Sequence, residues 1–192
     1  MKMESIAHIF WGLTFGGIET MLINIANEQV KLGAEVHVII INEMCEPALL
    51  NAFDKRIHVS LLHRKKHSKS IGFILRLNLA LIRIKPDHVH LHSSSFYSWL
   101  LPAFRKKACA TLHALPCGEI RIKSKLGWAF QPIADIIHRL PGNTQVIDRI
   151  PTVFSISQAV HDSLLKDYGV NSIVVNNGII VSNFKKRLVR TK

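Results

Sequence analysis

Carboxylates are scarce in this chain: 13 Asp and Glu stand against 25 Lys and Arg, so 192 residues carry a formal charge of +12 with 11 His neutral. That shortage argues against a carboxylate-rich metal centre. The excess of cations favours an anionic partner, whether nucleic acid, a phosphorylated substrate or an acidic membrane surface. Cysteine is also rare. Cys45, Cys109 and Cys117 are odd in number and irregular in spacing, which excludes a disulfide framework or a zinc knuckle and fits a reducing cytoplasm. No apolar run reaches the ~18 residues of a membrane span. The longest candidate, Ile71 to Ile84, carries Arg76 and Arg83. A secretory leader is not expected at the start, because His8 and Gly16-Gly17 interrupt the only apolar stretch there.

Apolar side chain is not lacking. Hydrophobic residues make up 48% and charged residues 20%, enough for a core and too few charges for a disordered tail. The length suits one domain, or one half of a two-domain protein. Ser5 to Phe10 reads as a buried strand, and Ile18 to Leu32 as a helix closed by Gly33. Glu35 to Ile41 is a strand apolar on both faces near its end, the pattern of a parallel sheet covered on both sides. Further strands are expected at 57–62, 88–92, 108–112, 153–157 and 173–176, with helices at 71–84 and 158–168. The segment His63 to Lys69 reads as an exposed basic loop, and Ser93-Ser94-Ser95 as a polar one. Between Pro116 and Pro151, Trp128, Phe130, Ile133, Ile136 and Ile137 could share one helix face.

Strands alternating with helices predict an α/β fold, a doubly wound, mostly parallel Rossmann-like sheet. Ligands of such sheets sit beyond the carboxyl ends of the strands. That places the loops after Phe10, Ile41, His92, Leu112, Ser157 and Asn176 on one functional edge. Glycines at Gly12, Gly16 and Gly17 lie between the first strand and its helix. They either let backbone amides approach an anion or make a tight turn with no ligand. The pattern is neither G-x-G-x-x-G nor a P-loop, so neither dinucleotide binding nor ATP hydrolysis is supported. His88, His90 and His92 fall on one strand face, a spacing that metal sites use. Without further ligands it reads more simply as an inner-sheet pattern, and no metal is assigned. His113, just past the fifth strand, is placed to hydrogen-bond a hydroxyl or phosphate or to act as acid or base. The basic clusters, among them Arg105-Lys106-Lys107 and Arg121 to Lys125, are dispersed and short of stacking aromatics, which disfavours nucleic acid. They suit a phosphorylated acceptor or an anionic membrane face, on which the 71–84 helix could also lie.

Four motifs in order resemble the N-terminal half of the GT-B glycosyltransferases of family 4. They are Gly16-Gly17-Ile18-Glu19, the run Lys85 to His92 (KPDHVHLH), Thr111-Leu112-His113, and Phe154 to Val160 followed by Val174 to Ile179. The resemblance spans roughly residues 4–184. It implies an acceptor-side domain over 1–184, with 185–192 a basic linker or tail. It implies sugar transfer, of hexosyltransferase type, from a nucleotide-sugar to a glycan or lipid-linked acceptor in cell-surface polysaccharide synthesis. The Gly16 and Gly17 amides would approach the donor diphosphate, and His113 would contact and orient the donor sugar as the catalytic residue. Glu19, His92 and Ser93 would lie on the acceptor or substrate side. No cofactor or metal is expected, the nucleotide-sugar being a co-substrate. The donor site is implied in a second domain, so these residues alone are expected to be inactive. One departure is Ile180, where the family often has Asp after Asn-Gly-Ile. The rival reading is a non-catalytic basic α/β module that binds a membrane or a protein.

Overall fold

The computed structural model describes residues 3–65, 68, 70–114 and 144–178. Cys117, the proposed 128–137 helix face, the Arg121 to Lys125 cluster and the 185–192 tail lie outside them.

Seven strands form one all-parallel sheet: β1 (Ser5–Phe10), β2 (Glu35–Asn42), β3 (His58–Arg64), β4 (His88–Leu91), β5 (Ala108–Leu112), β6 (Thr152–Ser155) and β7 (Ile173–Val174). Their order is β3-β2-β1-β4-β5-β6-β7. The chain runs outward to β3, then returns to place β4 beside β1. That reversal makes the β1/β4 boundary the topological switch point, where an open parallel sheet leaves a crevice. Register is continuous across it, with His8 opposite His90 and Ile9 opposite Leu91.

Helix α1 (Gly17–Lys31) buries Met21, Leu22, Ile23, Ala26 and Val30, and ends before Gly33, whose φ of 91° is left-handed. Its buried face meets Val36, Val38 and Ile40, one set of alternate residues of β2. The other set, Ile39 and Ile41, faces the opposite layer with Leu77 and Leu81 of α3 (Gly72–Ile84). The both-sided apolarity of β2 thus has its cause in one helix layer on each face. Inside α3 the buried Asn78 donates to the carbonyls of Ile74 and Trp99 and accepts from the Leu101 amide, tying α3 to the chain after β4. The opposite side of α3 leaves Ile71, Leu75, Leu79 and Ile82 exposed.

Two four-residue helices, α2 (Pro47–Leu50) and α4 (Pro102–Arg105), each open on a proline, whose fixed φ suits a first helical position. The Ser93 to Ser95 segment is no surface loop. It opens a 3-10 helix, Ser94–Trp99, that buries Phe96, Tyr97 and Trp99. Trp99 stands edge-on to Phe73 at 4.8 Å and to Trp11 at 5.1 Å. The basic segment after His63 also differs from expectation. β3 continues through Arg64, whose guanidinium lies over Phe73 and reaches the Ser68 carbonyl. A second 3-10 turn spans Thr144–Arg149. Helix α5 (Gln158–Tyr168) starts with Ser157 accepting from the Val160 amide and stops at the left-handed Gly169, as the sequence predicts.

Candidate functional site

The turn after β1 is tethered on both sides. Asn42 donates its amide to the Trp11 carbonyl, and Leu13 donates to the Met44 carbonyl. At Gly12 a Cβ would stand 3.0 Å from that same Met44 oxygen, so any larger residue would push these two tethered segments apart by a few tenths of an ångström. Helix α1 then begins behind Gly16, an extended residue with no side chain to cap the first turn. Uncapped amides and the positive end of the helix dipole together favour an anion. A Cβ on Gly17 would meet nothing within 4 Å. The space over Gly16 is filled instead by the Glu19 carboxylate, which accepts from Thr14 Oγ1 at 3.0 Å. An anion at this turn therefore has open room over Gly17, and must move Glu19 to sit over Gly16.

Across the switch point four imidazoles cluster, His8, His90 and His92 in a triangle and His113 beside His92. His8 comes from β1, His90 and His92 from β4 and its end, and His113 from the end of β5. Ring centroids of His90 and His92 are 4.4 Å apart, those of His8 and His90 4.9 Å, and those of His92 and His113 5.5 Å with planes 7° from parallel. Phe10, where β1 ends, meets His92 edge-on at 5.5 Å. The turn at Gly16, His92 and His113 thus follow β1, β4 and β5, three adjacent strands, on one rim. Ser93 lies on the same rim with its hydroxyl 2.8 Å from that of Ser95.

Burial sets the charge of the imidazoles. His8 is wholly buried and its pKa falls to about 4, a hydrogen bond to Gln29 only partly offsetting the loss of water. Burial likewise holds His90 and His92 well below the usual histidine range, reinforced by the neighbouring rings, and lowers His113. All four are neutral at neutral pH. His90 Nε2 pairs with Thr111 Oγ1 at 2.7 Å, while the buried Nδ1 of His113 has no hydrogen-bond partner among the described residues.

The imidazole grouping read from the sequence needs one correction. His88 is largely exposed and turns toward Glu4 at 3.6 Å. The nitrogens that converge are those of His8, His90 and His92, all within 4.8 Å of one another. Nothing in the sequence marks His8 except that it is a lone histidine in an apolar strand, because its neighbours come from β4, 82 and 84 residues on. Both nitrogens of His8 are engaged, with Gln29 and with His92, and His90 Nε2 with Thr111. A cation here would have to break those bonds, and among the described residues no carboxylate joins the group.

On the α1 side of the sheet a cleft of about 730 Å³ opens between α1 and the loop after β7. Met21, Ile25, Leu32 and Phe154 make much of its wall, and Gln29 and His90 add polar atoms.

A Rossmann-like parallel sheet, with an uncapped glycine turn and a histidine rim at its switch point, defines an α/β domain with its candidate site at that edge. Comparison with known proteins narrows the class. The profile of Glycosyltransferase Family 4 matches residues 15–183, and the chain belongs to that family. Among solved structures, a glycosyltransferase from Rickettsia africae ESF-5 is similar at 21% identity with a TM-score of 0.54. The match covers 95% of this chain and 45% of that one, so the chain spans less than half the length of this structural neighbour. No curated protein matches the sequence.

Proposed function

We propose that the chain is the acceptor-side domain of a glycosyltransferase that moves a sugar from a nucleotide-sugar to a glycan or lipid-linked acceptor, in cell-surface polysaccharide synthesis and of hexosyltransferase type. The observation that carries the reading is the shared rim: an uncapped α1 start at Gly16 and Gly17, with His113 two strands away across the switch point. Amides at Gly16 and Gly17 would offset charge on the departing diphosphate, which is the dominant need when a phosphate leaving group departs. His113 would hold the donor sugar, and Glu19, His92 and Ser93 would flank the acceptor. The nucleotide-sugar serves as co-substrate, with no cofactor. A second, donor-binding domain faces this rim, and the 192 residues alone turn over little or no sugar nucleotide.

The same reading places the domain in the cytoplasm, against the inner membrane face. Support comes from the exposed Ile71, Leu75 and Ile82 on α3, interleaved with Arg76 and Arg83 in a chain of charge +12. No helix among the described residues is long and apolar enough to cross a membrane. Amide NMR of the chain titrated with inorganic diphosphate and with a panel of nucleotide-sugars tests the rim. Shifts at Gly16, Gly17 and His113 are expected. Silence at all three, or turnover of a sugar nucleotide by the chain alone, refutes the assignment.

A further inference from the structure

A continuous hydrogen-bonded chain runs from Gln29 to His113. His8 Nε2 is 2.7 Å from Gln29 Oε1, His8 Nδ1 is 3.1 Å from His92 Nε2, and His92 Nδ1 is 3.3 Å from His113 Nε2. A neutral imidazole has one N–H and one lone pair, so fixing one end of such a chain fixes every member. The Gln29 oxygen only accepts, so His8 donates from Nε2 and its Nδ1 is a lone pair. His92 must then donate to it from Nε2, which leaves His92 Nδ1 a lone pair. His113 donates to that from Nε2. What remains at the far end is a lone pair on His113 Nδ1, the buried atom without a partner among the described residues.

We propose that Gln29, His8 and His92 are positioning residues that hold His113 as its Nε2–H tautomer, which leaves Nδ1 an acceptor matched to a hydroxyl group. An unprotonated carbonyl or phosphate oxygen is rejected there, because two lone pairs would face each other. The three bonds all point toward Gln29, and aligned bonds polarise one another. A proton added to any ring would make both its nitrogens donors and break the direction. Burial prevents this near neutral pH. The arrangement belongs to the sheet rather than to any local segment, because β1, β4 and β5 each supply one ring. That the hydroxyl belongs to a sugar rests on the proposed function; the tautomer does not.

Long-range proton–nitrogen NMR of the 15N-labelled chain, near neutral pH, reads which nitrogen of each ring carries the proton. The expected pattern is Nε2–H at His8, His92 and His113. Gln29→Glu, whose carboxylate also only accepts, preserves it. Gln29→Lys only donates; Gln29 is half-buried at the cleft wall, where a longer side chain has room, and this variant reverses all three rings so that His113 carries its proton on Nδ1. The proposal is overturned if His113 in the unmodified chain bears its proton on Nδ1 or averages between the two forms. It is equally overturned if a folded Gln29→Lys chain leaves His113 unchanged, or if stoichiometric zinc shifts the His8 and His92 nitrogens together. Should the lysine variant not fold, the unmodified and Gln29→Glu spectra decide. Diphosphate shifts at Gly16 and Gly17 with the wrong tautomers would sink the relay and leave the transferase reading standing; the converse result would do the opposite.

Discussion

Acidification is the perturbation the buried histidines make most legible. His8 titrates near its ordinary 6.5 when unfolded and at about 4 when folded. Its folded pKa is depressed, so the unfolded chain binds the extra proton between these values. Stability is therefore full above about pH 6.5 and falls as pH drops toward 4, below which both states are protonated. At about pH 5 the unfolded ring is ~97% charged and the folded ring only ~10%, a difference of about 2 kcal/mol in favour of unfolding. For a chain of this size that is a fall of roughly 4–8 °C in midpoint temperature. His90, His92 and His113 shift in the same direction, so the measured loss should exceed the His8 share. Asp54, held down by Arg56, loses its ionised form only at much lower pH and does not enter this window. Thermal or urea unfolding followed by circular dichroism, at neutral pH and near pH 5, measures the effect. His8→Phe should be less stable at neutral pH, through the polar partners it leaves behind, yet show a shallower pH dependence. A midpoint that stays level or rises on acidification would refute the reasoning, as would an unchanged slope in the Phe variant.

Three other perturbations probe separate links. Gly17→Ala finds open space and a helical position, so stability should hold to within about 0.5 kcal/mol in urea titrations, while diphosphate shifts at the turn weaken; a loss of both would make the glycine a folding requirement. Asn78→Leu leaves the Trp99 carbonyl and the Leu101 amide without their side-chain partner and should cost about 2–3 kcal/mol by the same titration. Flotation with anionic vesicles should capture the chain at low salt, release much of it at high salt, and fail for a Leu75→Ser, Arg76→Glu double variant; indifference to vesicle charge would count against the α3 surface.

Most of the scaffold is legible in the sequence because it is written in local periodicity. β2 is apolar on both faces, α1 and α3 carry helical stripes, and Ser157 and Gly169 bracket α5 as cap and stop. Four-residue helices such as α2 and α4 are too short to show a period. The serine run at 93–95 looks polar, yet it leads into Phe96 and Trp99, whose burial depends on Trp11 from the turn after β1 and Phe73 from α3. The site divides the same way. Gly16, Gly17 and His113 could be picked out by their position at strand ends. The part played by His8 and Gln29 could not, because it exists only once β4 lies beside β1.

That adjacency has a consequence for how the chain comes together. The first of the described strands ends up in the interior of the sheet, and one of its edges has no partner until residues 88–91 have been synthesised. Until then β1, β2 and β3 have only one another to pair with, and the inner edge of β1 is bare. Closing that edge means shutting a loop of some eighty residues, which is slow and exposes unpaired backbone in the meantime. The histidines that meet across the seam are assembled only by that late closure, so a nascent chain stalled before β4 would contain His8 without His90 and His92 beside it.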